Sequence, residues 1–216
     1  MTGAGTVLTL GSGVTIDESG DGEIQTGGYA GDGVVNQGTI SQTASDSGLD
    51  IYGNGSFTNS GTITAASSGG ILSIDTTKFT NPGTVAVSNG DTVQIETRVT
   101  GTGTDTISGA STLEFENAVS SRTTVGSQNI GFTGGGTLDL TDPWSFYGEV
   151  SDFAAGDTVE LLGSWAFSGF SENSGGTLAT LTLVNGTTTH AFDFVGDYAQ
   201  GDFKITSGAT STITHT

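Results

Sequence analysis

Short apolar bursts alternate with polar residues along this chain, and one burst returns at nearly constant intervals. Val34-Val35-Asn36-Gln37-Gly38-Thr39-Ile40, Phe57-Thr58-Asn59-Ser60-Gly61-Thr62-Ile63 and Phe79-Thr80-Asn81-Pro82-Gly83-Thr84-Val85 each read apolar-x-Asn-x-Gly-Thr-apolar. Asn36, Asn59 and Asn81 are 23 and 22 residues apart. Leu49 and Leu72 both lie 13 residues beyond their asparagine, and Ile51 and Ile74 lie 15 beyond. In the third copy Val93 and Ile95 fall at 12 and 14, as if one turn were a residue shorter.

A period of about 22 residues suits one rung of a parallel β-solenoid, in which each unit buries its apolar side by stacking on its neighbours. Side chains of a strand alternate between its two faces. Leu49, Ile51, Leu72 and Ile74 are therefore expected inside the coil, with Asp50 and Ser73 outside. The Asn-x-Gly step reads as turn chemistry, because Asn tolerates left-handed backbone and Gly adopts it freely. Stacking would place Asn36, Asn59 and Asn81 one above another, where their amides can form a ladder. Similar hairpin turns in a sandwich are the alternative, and the near-constant spacing favours the solenoid.

Beyond residue 90 the strict repeat fades but the strand unit continues. Thr92-Val93-Gln94-Ile95, Thr112-Leu113-Glu114-Phe115, Thr137-Leu138-Asp139-Leu140 and Thr158-Val159-Glu160-Leu161 start 20, 25 and 21 residues apart. The expected organisation is one continuous domain: regular coils over 1–100, looser coils over 101–162 and a C-terminal capping β region over 163–216. The last part holds Trp165, Phe167, Phe170, Phe192, Phe194, Tyr198 and Phe203, rings suited to closing an apolar end. Leu178, Leu181, Leu183, Phe192 and Phe194 are expected on hairpin strands joined across Asn185-Gly186. The alternative use of these aromatics is a sugar-stacking platform built from Trp144, Trp165 or Tyr147.

Composition agrees with an all-β chain and narrows its partners. Glycine occurs 37 times without a Gly-X-Y period, which excludes collagen. The 23 acidic residues face only four basic ones, Lys78, Arg98, Arg122 and Lys204, for a net charge of −19. Nucleic acid and anionic membrane are excluded as partners, because phosphate contacts need clustered Lys and Arg. With no cysteine there are neither disulfides nor zinc–thiolate sites. No apolar run is long enough for a membrane-spanning helix, so membrane insertion is not expected. Met1-Thr2-Gly3-Ala4-Gly5 is no secretory leader, so export would need a lost leader, a C-terminal signal or a larger parent chain.

Catalytic chemistry finds few parts. The two histidines, His190 and His215, are far apart in sequence, and no Gly-x-Ser-x-Gly elbow occurs. A polysaccharide lyase would need basic residues that four scattered Lys and Arg supply poorly. The chain is expected not to be an enzyme. One metal motif stands out: Asp17, Ser19, Asp21 and Glu23 in Asp17-Glu18-Ser19-Gly20-Asp21-Gly22-Glu23 match the start of a calcium loop, although its twelfth position is Gly28 and not Glu. Calcium is the single cofactor this pattern admits. An ice-binding surface would want a regular Thr-x-Thr array, and the column Thr39, Thr62, Thr84 with the pair Thr9, Thr15 reads as too irregular.

The span from about Gly101 onward resembles a module of proteobacterial surface proteins, seen in autotransporter-like and hemagglutinin-like passengers and in type I-secreted adhesins. The resemblance is carried by Thr106-Ile107-Ser108-Gly109-Ala110-Ser111-Thr112-Leu113-Glu114-Phe115, by Gly134-Gly135-Gly136-Thr137-Leu138-Asp139-Leu140, and most specifically by Phe146 to Leu161. Gly196-Asp197-Tyr198 and Gly201-Asp202-Phe203 complete it. The first half resembles the Asn-x-Gly-Thr-Ile coils of filamentous-hemagglutinin-type β-helices. These resemblances imply a right-handed parallel β-helix, extracellular or cell-surface location, and a structural role in adhesion, display or biofilm matrix. The chain itself, through fibres, or surface glycans would be the partners. The resemblances imply no common enzymatic activity, and the rival expectation from another class is a carbohydrate-active β-helix, either a glycan-binding module or a polysaccharide lyase. The calcium-binding Gly-Gly-x-Gly-x-Asp array of type I-secreted toxins is missing, as is any membrane-barrel segment.

Overall fold

The computed structural model describes residues 4–116 and 128–216, so Arg122 lies outside the described residues. The first coil consists of β1 (Val7–Leu10), β2 (Thr15–Glu18) and β3 (Gly22–Gln25). The second contains β4 (Gly33–Asn36) and β5 (Thr39–Gln42), then enters the long β6 (Gly48–Asn59), which turns a corner into the third coil. After β7 (Thr62–Ala65), β8 (Ile71–Thr80) repeats that corner. The path continues through β9 (Thr84–Val87), β10 (Thr92–Ile95), β11 (Val99–Thr100), β12 (Thr104–Ser108) and β13 (Thr112–Phe115). It then runs through β14 (Asn129–Thr133), β15 (Gly136–Leu140), β16 (Glu149–Ser151) and β17 (Asp157–Leu162). The last strands are β18 (Ala166–Glu172), β19 (Leu178–Asn185), β20 (Thr188–Val195), β21 (Phe203–Thr206) and β22 (Thr210–His215).

These strands stack as a parallel β-solenoid of about six turns. It has three faces. Face 1 stacks β1, β4, the ends of β6 and β8, and β11. Face 2 stacks β2, β5, β7, β9, β12, β14 and β16. Face 3 stacks β3, the starts of β6 and β8, β10, β13, β15 and β17. Because β6 and β8 run through the corner, faces 1 and 3 share one 12-stranded sheet, while face 2 belongs to the 10-stranded one.

The expected inward and outward positions hold. Leu49, Ile51, Leu72 and Ile74 are buried, Asp50 is exposed and Ser73 is partly exposed. The rings of Phe57 and Phe79 stack with centroids 5.5 Å apart and planes inclined by 12°. Each side chain buried this fully contributes about 1.5–3 kcal/mol of apolar transfer. The asparagines form the expected ladder: Asn36 Nδ2 donates to Asn59 Oδ1 and Asn59 Nδ2 donates to Asn81 Oδ1, both at 2.9 Å.

The glycine of the Asn-x-Gly step has a different cause from the one expected. Neither Gly61 nor Gly83 has a positive φ. A Cβ on Gly61 would lie 2.1 Å from the Gly38 carbonyl oxygen, and one on Gly83 2.3 Å from that of Gly61. Glycine is required here because one coil sits directly on the next.

The later coils are also less loose than the spacing suggests. Thr92, Thr112, Thr137 and Thr158 pair one to one up face 3, and the residues that follow them stay in register. Between β15 and β16 the chain passes through a 3-10 turn, Pro143–Ser145, where a face 1 strand would lie.

The two ends of the stack differ. In the first coil Leu8 is 49 % exposed, and Leu10, Ile16 and Ile24 are only partly buried. At the other end β20 adds to face 2 in parallel, and β19 and β18 then pair antiparallel onto it. On face 3, β22 and β21 likewise add antiparallel to β17. Phe153, Phe194, Tyr198 and Phe203 pack together beneath these strands, with Phe146, Trp165 and Phe192 beside them. Phe167 departs from the expected aromatic cluster, because it sits on the outer strand β18 and is 42 % exposed.

Candidate functional site: the outer columns of faces 2 and 3

An in-register stack turns each outward position into a column whose members are about 4.8 Å apart. On face 3 one column reads Glu23, Asp50, Ser73, Gln94, Glu114, Asp139, Glu160. Its neighbour carries Gln25, Tyr52 and Asp75, with Glu96 and Glu116 continuing the same stack. In the last three of the four Thr-apolar-x-apolar units, Glu114, Asp139 and Glu160 are thereby laid one against the next. Like charges directly opposite one another on a sheet are destabilising.

The column is partly relieved by neutral partners. Gln94 Nε2 donates to Glu114 Oε2 at 2.9 Å, Ser73 Oγ to Glu96 Oε1 at 3.0 Å, and Tyr52 Oη to Glu23 Oε2 at 3.0 Å. Where Glu114, Asp139 and Glu160 follow one another there is no such interruption. Burial, with Glu114 and Glu160 on either side, pushes the Asp139 carboxyl up to about 6. Burial and then Glu96, Glu114 and Asp75 also raise Glu116. Glu23, Asp50, Tyr52, Ser73, Asp75 and Glu96 line a shallow depression of about 490 Å³ on this face.

Over its first five strands the main outer column of face 2 is neutral, before it continues through Asn129 to Glu149 and Asp193. Thr15, Thr39, Thr62, Thr84 and Thr104 are paired in one unbroken column. Beside it run Asp17, Ser41, Thr64, Ala86 and Thr106. Thr64 Oγ1 donates to Ser41 Oγ at 3.0 Å. Spacing alone reveals only Thr39, Thr62 and Thr84 of the main column. Thr15 belongs to it as well, whereas Thr9 lies on face 1, and the turn between β1 and β2, longer than its successors, hides that register.

The four residues of the calcium-loop motif are spread over this geometry. Asp17 points outward from face 2 and Glu23 outward from face 3, where it accepts from Tyr52. Ser19 and Asp21 lie in the turn between them, and Asp21 Oδ1 accepts the Gly48 N–H at 3.0 Å. Glu18, which the motif did not mark as a ligand, is the carboxylate turned inward, accepting from the Gly20 N–H and from Ser47 Oγ. Among the described residues, no group of three or more His, Asp or Glu is placed to hold a metal ion.

Of the aromatics considered for a sugar platform, Trp165 is enclosed by the cap, while Trp144 and Tyr147 are partly exposed. Trp165 is fully buried, its Nε1 donating to the Leu162 carbonyl at 2.9 Å, and Trp144 packs on it with centroids 4.3 Å apart. Tyr147 packs edge-on to His190, whose Nε2 lies 2.8 Å from the Phe146 carbonyl oxygen. His215 lies against Phe153 and Tyr198. Both histidines thus sit among cap rings. No protein-family model matches this chain, and no curated protein matches it.

Proposed function

We propose that this chain is a non-catalytic, extracellular structural and adhesive solenoid, a stiff stack that displays long outer columns at a cell surface or in a biofilm matrix. The observation that carries the reading is the continuous register of faces 2 and 3 through the coils and into the capping strands. Such a stack extends its surface by repetition, and each coil is held by its neighbours. The acidic columns favour hydroxyl-rich or cationic partners over phosphate and uronate polymers. Binding of the folded chain to an array of neutral, amino-sugar and uronate glycans, run beside a uronate-lyase assay, tests the reading. Retention on neutral or amino-sugar glycans without turnover is expected. Product formation would replace the proposal by the carbohydrate-active alternative.

Self-association belongs to the same proposal. Open strand edges template further strands, and β1, β2 and β3 offer them around Leu8, Leu10, Ile16 and Ile24. At the other end the outer strands β18 and β21 also pair on one side only among the described residues. Sedimentation at increasing concentration should show self-association, and a strictly monodisperse monomer with no fibres by electron microscopy would count against it.

A second reading is favoured by the threonine column of face 2. Methyl and hydroxyl groups repeated along Thr39, Thr62, Thr84 and Thr104 suit an ordered row of water. Inhibition of ice recrystallisation, lost on Thr62→Lys, would support this reading. Unchanged crystal growth in the presence of the protein would remove it.

A further inference from the structure

The asparagine ladder ends on an acid. Asn36, Asn59 and Asn81 all point their Nδ2 groups toward the later coils, so the chain of amides is polarised in one direction. Its last donor, Asn81 Nδ2, is shared between Asp105 Oδ1 at 2.8 Å and Gln128 Oε1 at 2.9 Å. Gln128 Nε2 returns a bond to the Asn81 carbonyl at 3.0 Å. Asp105 Oδ1 also accepts the Val85 N–H at 3.2 Å. Asp105 Oδ2 is buried and accepts no hydrogen bond.

The side chain is 0 % exposed and inward on face 2, in a column with Val85 and Ile130. Strand β9 turns Val85 and Val87 inward, β14 turns Ile130 and Phe132, and β15 turns Leu138 and Leu140. Among the described residues no titratable or charged group acts on the Asp105 carboxyl. An ionised carboxylate with one bare oxygen in such surroundings is expensive, and neutralisation is the usual outcome.

We propose that Asp105 is carried as a neutral carboxylic acid in the folded solenoid, and that its ionisation loosens the joint between the asparagine-laddered coils and the coils beyond. The direction of the carboxyl's titration agrees: burial raises it to about 7, against the lowering effects of the Asn81 and Val85 bonds. The unfolded chain ionises near the ordinary aspartate value. Between about pH 4 and 7 the folded state therefore holds a proton that the unfolded state has lost. Stability falls as pH rises through that window, and above it the contribution is gone.

Carbon-13 NMR of the folded wild-type chain reads the Asp105 carboxyl directly, and a titration near neutrality is expected. Titration near 4 overturns the proposal. Hydrogen exchange at the Val85 and Gly103 amides should show an opening constant that grows by up to about tenfold per pH unit across the window. In Asp105→Asn, which keeps an acceptor for Asn81, that growth should shrink, while Asp139→Asn should leave it unchanged at these amides. An Asp105→Asn chain with the wild-type pH dependence at Val85 and Gly103 overturns the proposal as well. If that variant does not fold, the wild-type carboxyl titration decides alone.

Discussion

Faces 2 and 3 are made from the same four-residue unit, yet they divide their polar groups in opposite ways. Face 3 is apolar along its two central inward columns, from Leu49 and Ile51 through Leu113 and Phe115 to Val159 and Leu161, with buried Asp91, Ser111 and Asp157 only where its strands begin, and it carries its run of like charges outside. Face 2 is neutral outside along Thr39, Thr62 and Thr84, and it keeps polar groups inside at Gln42 and Asp105. The contrast shows that the interior sets the stack while the outer columns are free to take any chemistry the interior can offset. Face 3 tolerates a run of like charges because every one stands between two buried apolar side chains.

The strongest way to break this comparison is to cut into the interior that supports the charged face. Phe115→Ala removes a ring that is 1 % exposed, and a loss of about 3–5 kcal/mol is expected in chemical denaturation. Its outward neighbour Glu114→Gln should be neutral or mildly stabilising. A larger loss at Glu114 than at Phe115 would invert the account of what holds face 3.

Next comes the ladder beside face 2. Asn59→Ala takes from Asn36 Nδ2 one of its two acceptors, leaving the Thr62 carbonyl at 3.2 Å, and leaves Asn81 Oδ1 without its donor in buried surroundings. An unsatisfied buried group costs about 1–3 kcal/mol, so a loss of about 3 kcal/mol is expected from thermal or denaturant unfolding. Asn59 also donates to the Thr84 carbonyl at 3.0 Å, which ties the ladder to the start of a face 2 strand.

How far the sequence predicts this molecule follows from the same division. Alternation and spacing were enough to place Leu49, Ile51, Leu72 and Ile74 inside and to stack Asn36, Asn59 and Asn81, because those positions repeat with identical chemistry. The hairpin over Asn185-Gly186 was legible from its turn, and β19 and β20 do pair across it. The carboxylate columns were present in the Thr-apolar-acidic-apolar units, but pairing them needed the coil lengths. Those lengths vary with the turns, such as the longer one between β1 and β2, which leave no periodic mark. Asp105 was the hardest to find. It occupies an inward position that apolar residues fill in the coils on either side, so nothing local distinguishes it from an outward acid. Trp165 was misplaced as a possible platform residue because exposure of a ring cannot be read from its type.

The carboxylates of face 3 sharpen the contrast through pH. Asp139 is raised from the ordinary aspartate value to about 6 by burial first and by Glu114 and Glu160 second. The folded state keeps this proton longer than the unfolded one, so stability falls as pH rises from about 4 to 6. Asp139→Asn should match wild type at pH 4 and exceed it at pH 7.5. Because solvent screens a half-buried group, the gain is expected at about 1 kcal/mol. Added salt should narrow the difference by screening Glu114 and Glu160.

The smallest effect belongs on face 2. Thr62→Val keeps the β-branched shape in the middle of the threonine column and removes one partly exposed hydroxyl. With no charge to relieve and no buried partner to strand, the change in unfolding free energy should stay within about 0.5 kcal/mol and be independent of pH and salt. Thr62→Asp at the same position would bring the chemistry of face 3 onto face 2, where Thr39 and Thr84 flank it above and below. A single carboxylate there has no acidic neighbour in its column, so its carboxyl should be raised less than that of Asp139 and its cost should be small. A carboxyl raised there as far as Asp139 would mean that burial on the sheet surface suffices, without the second contribution of Glu114 and Glu160.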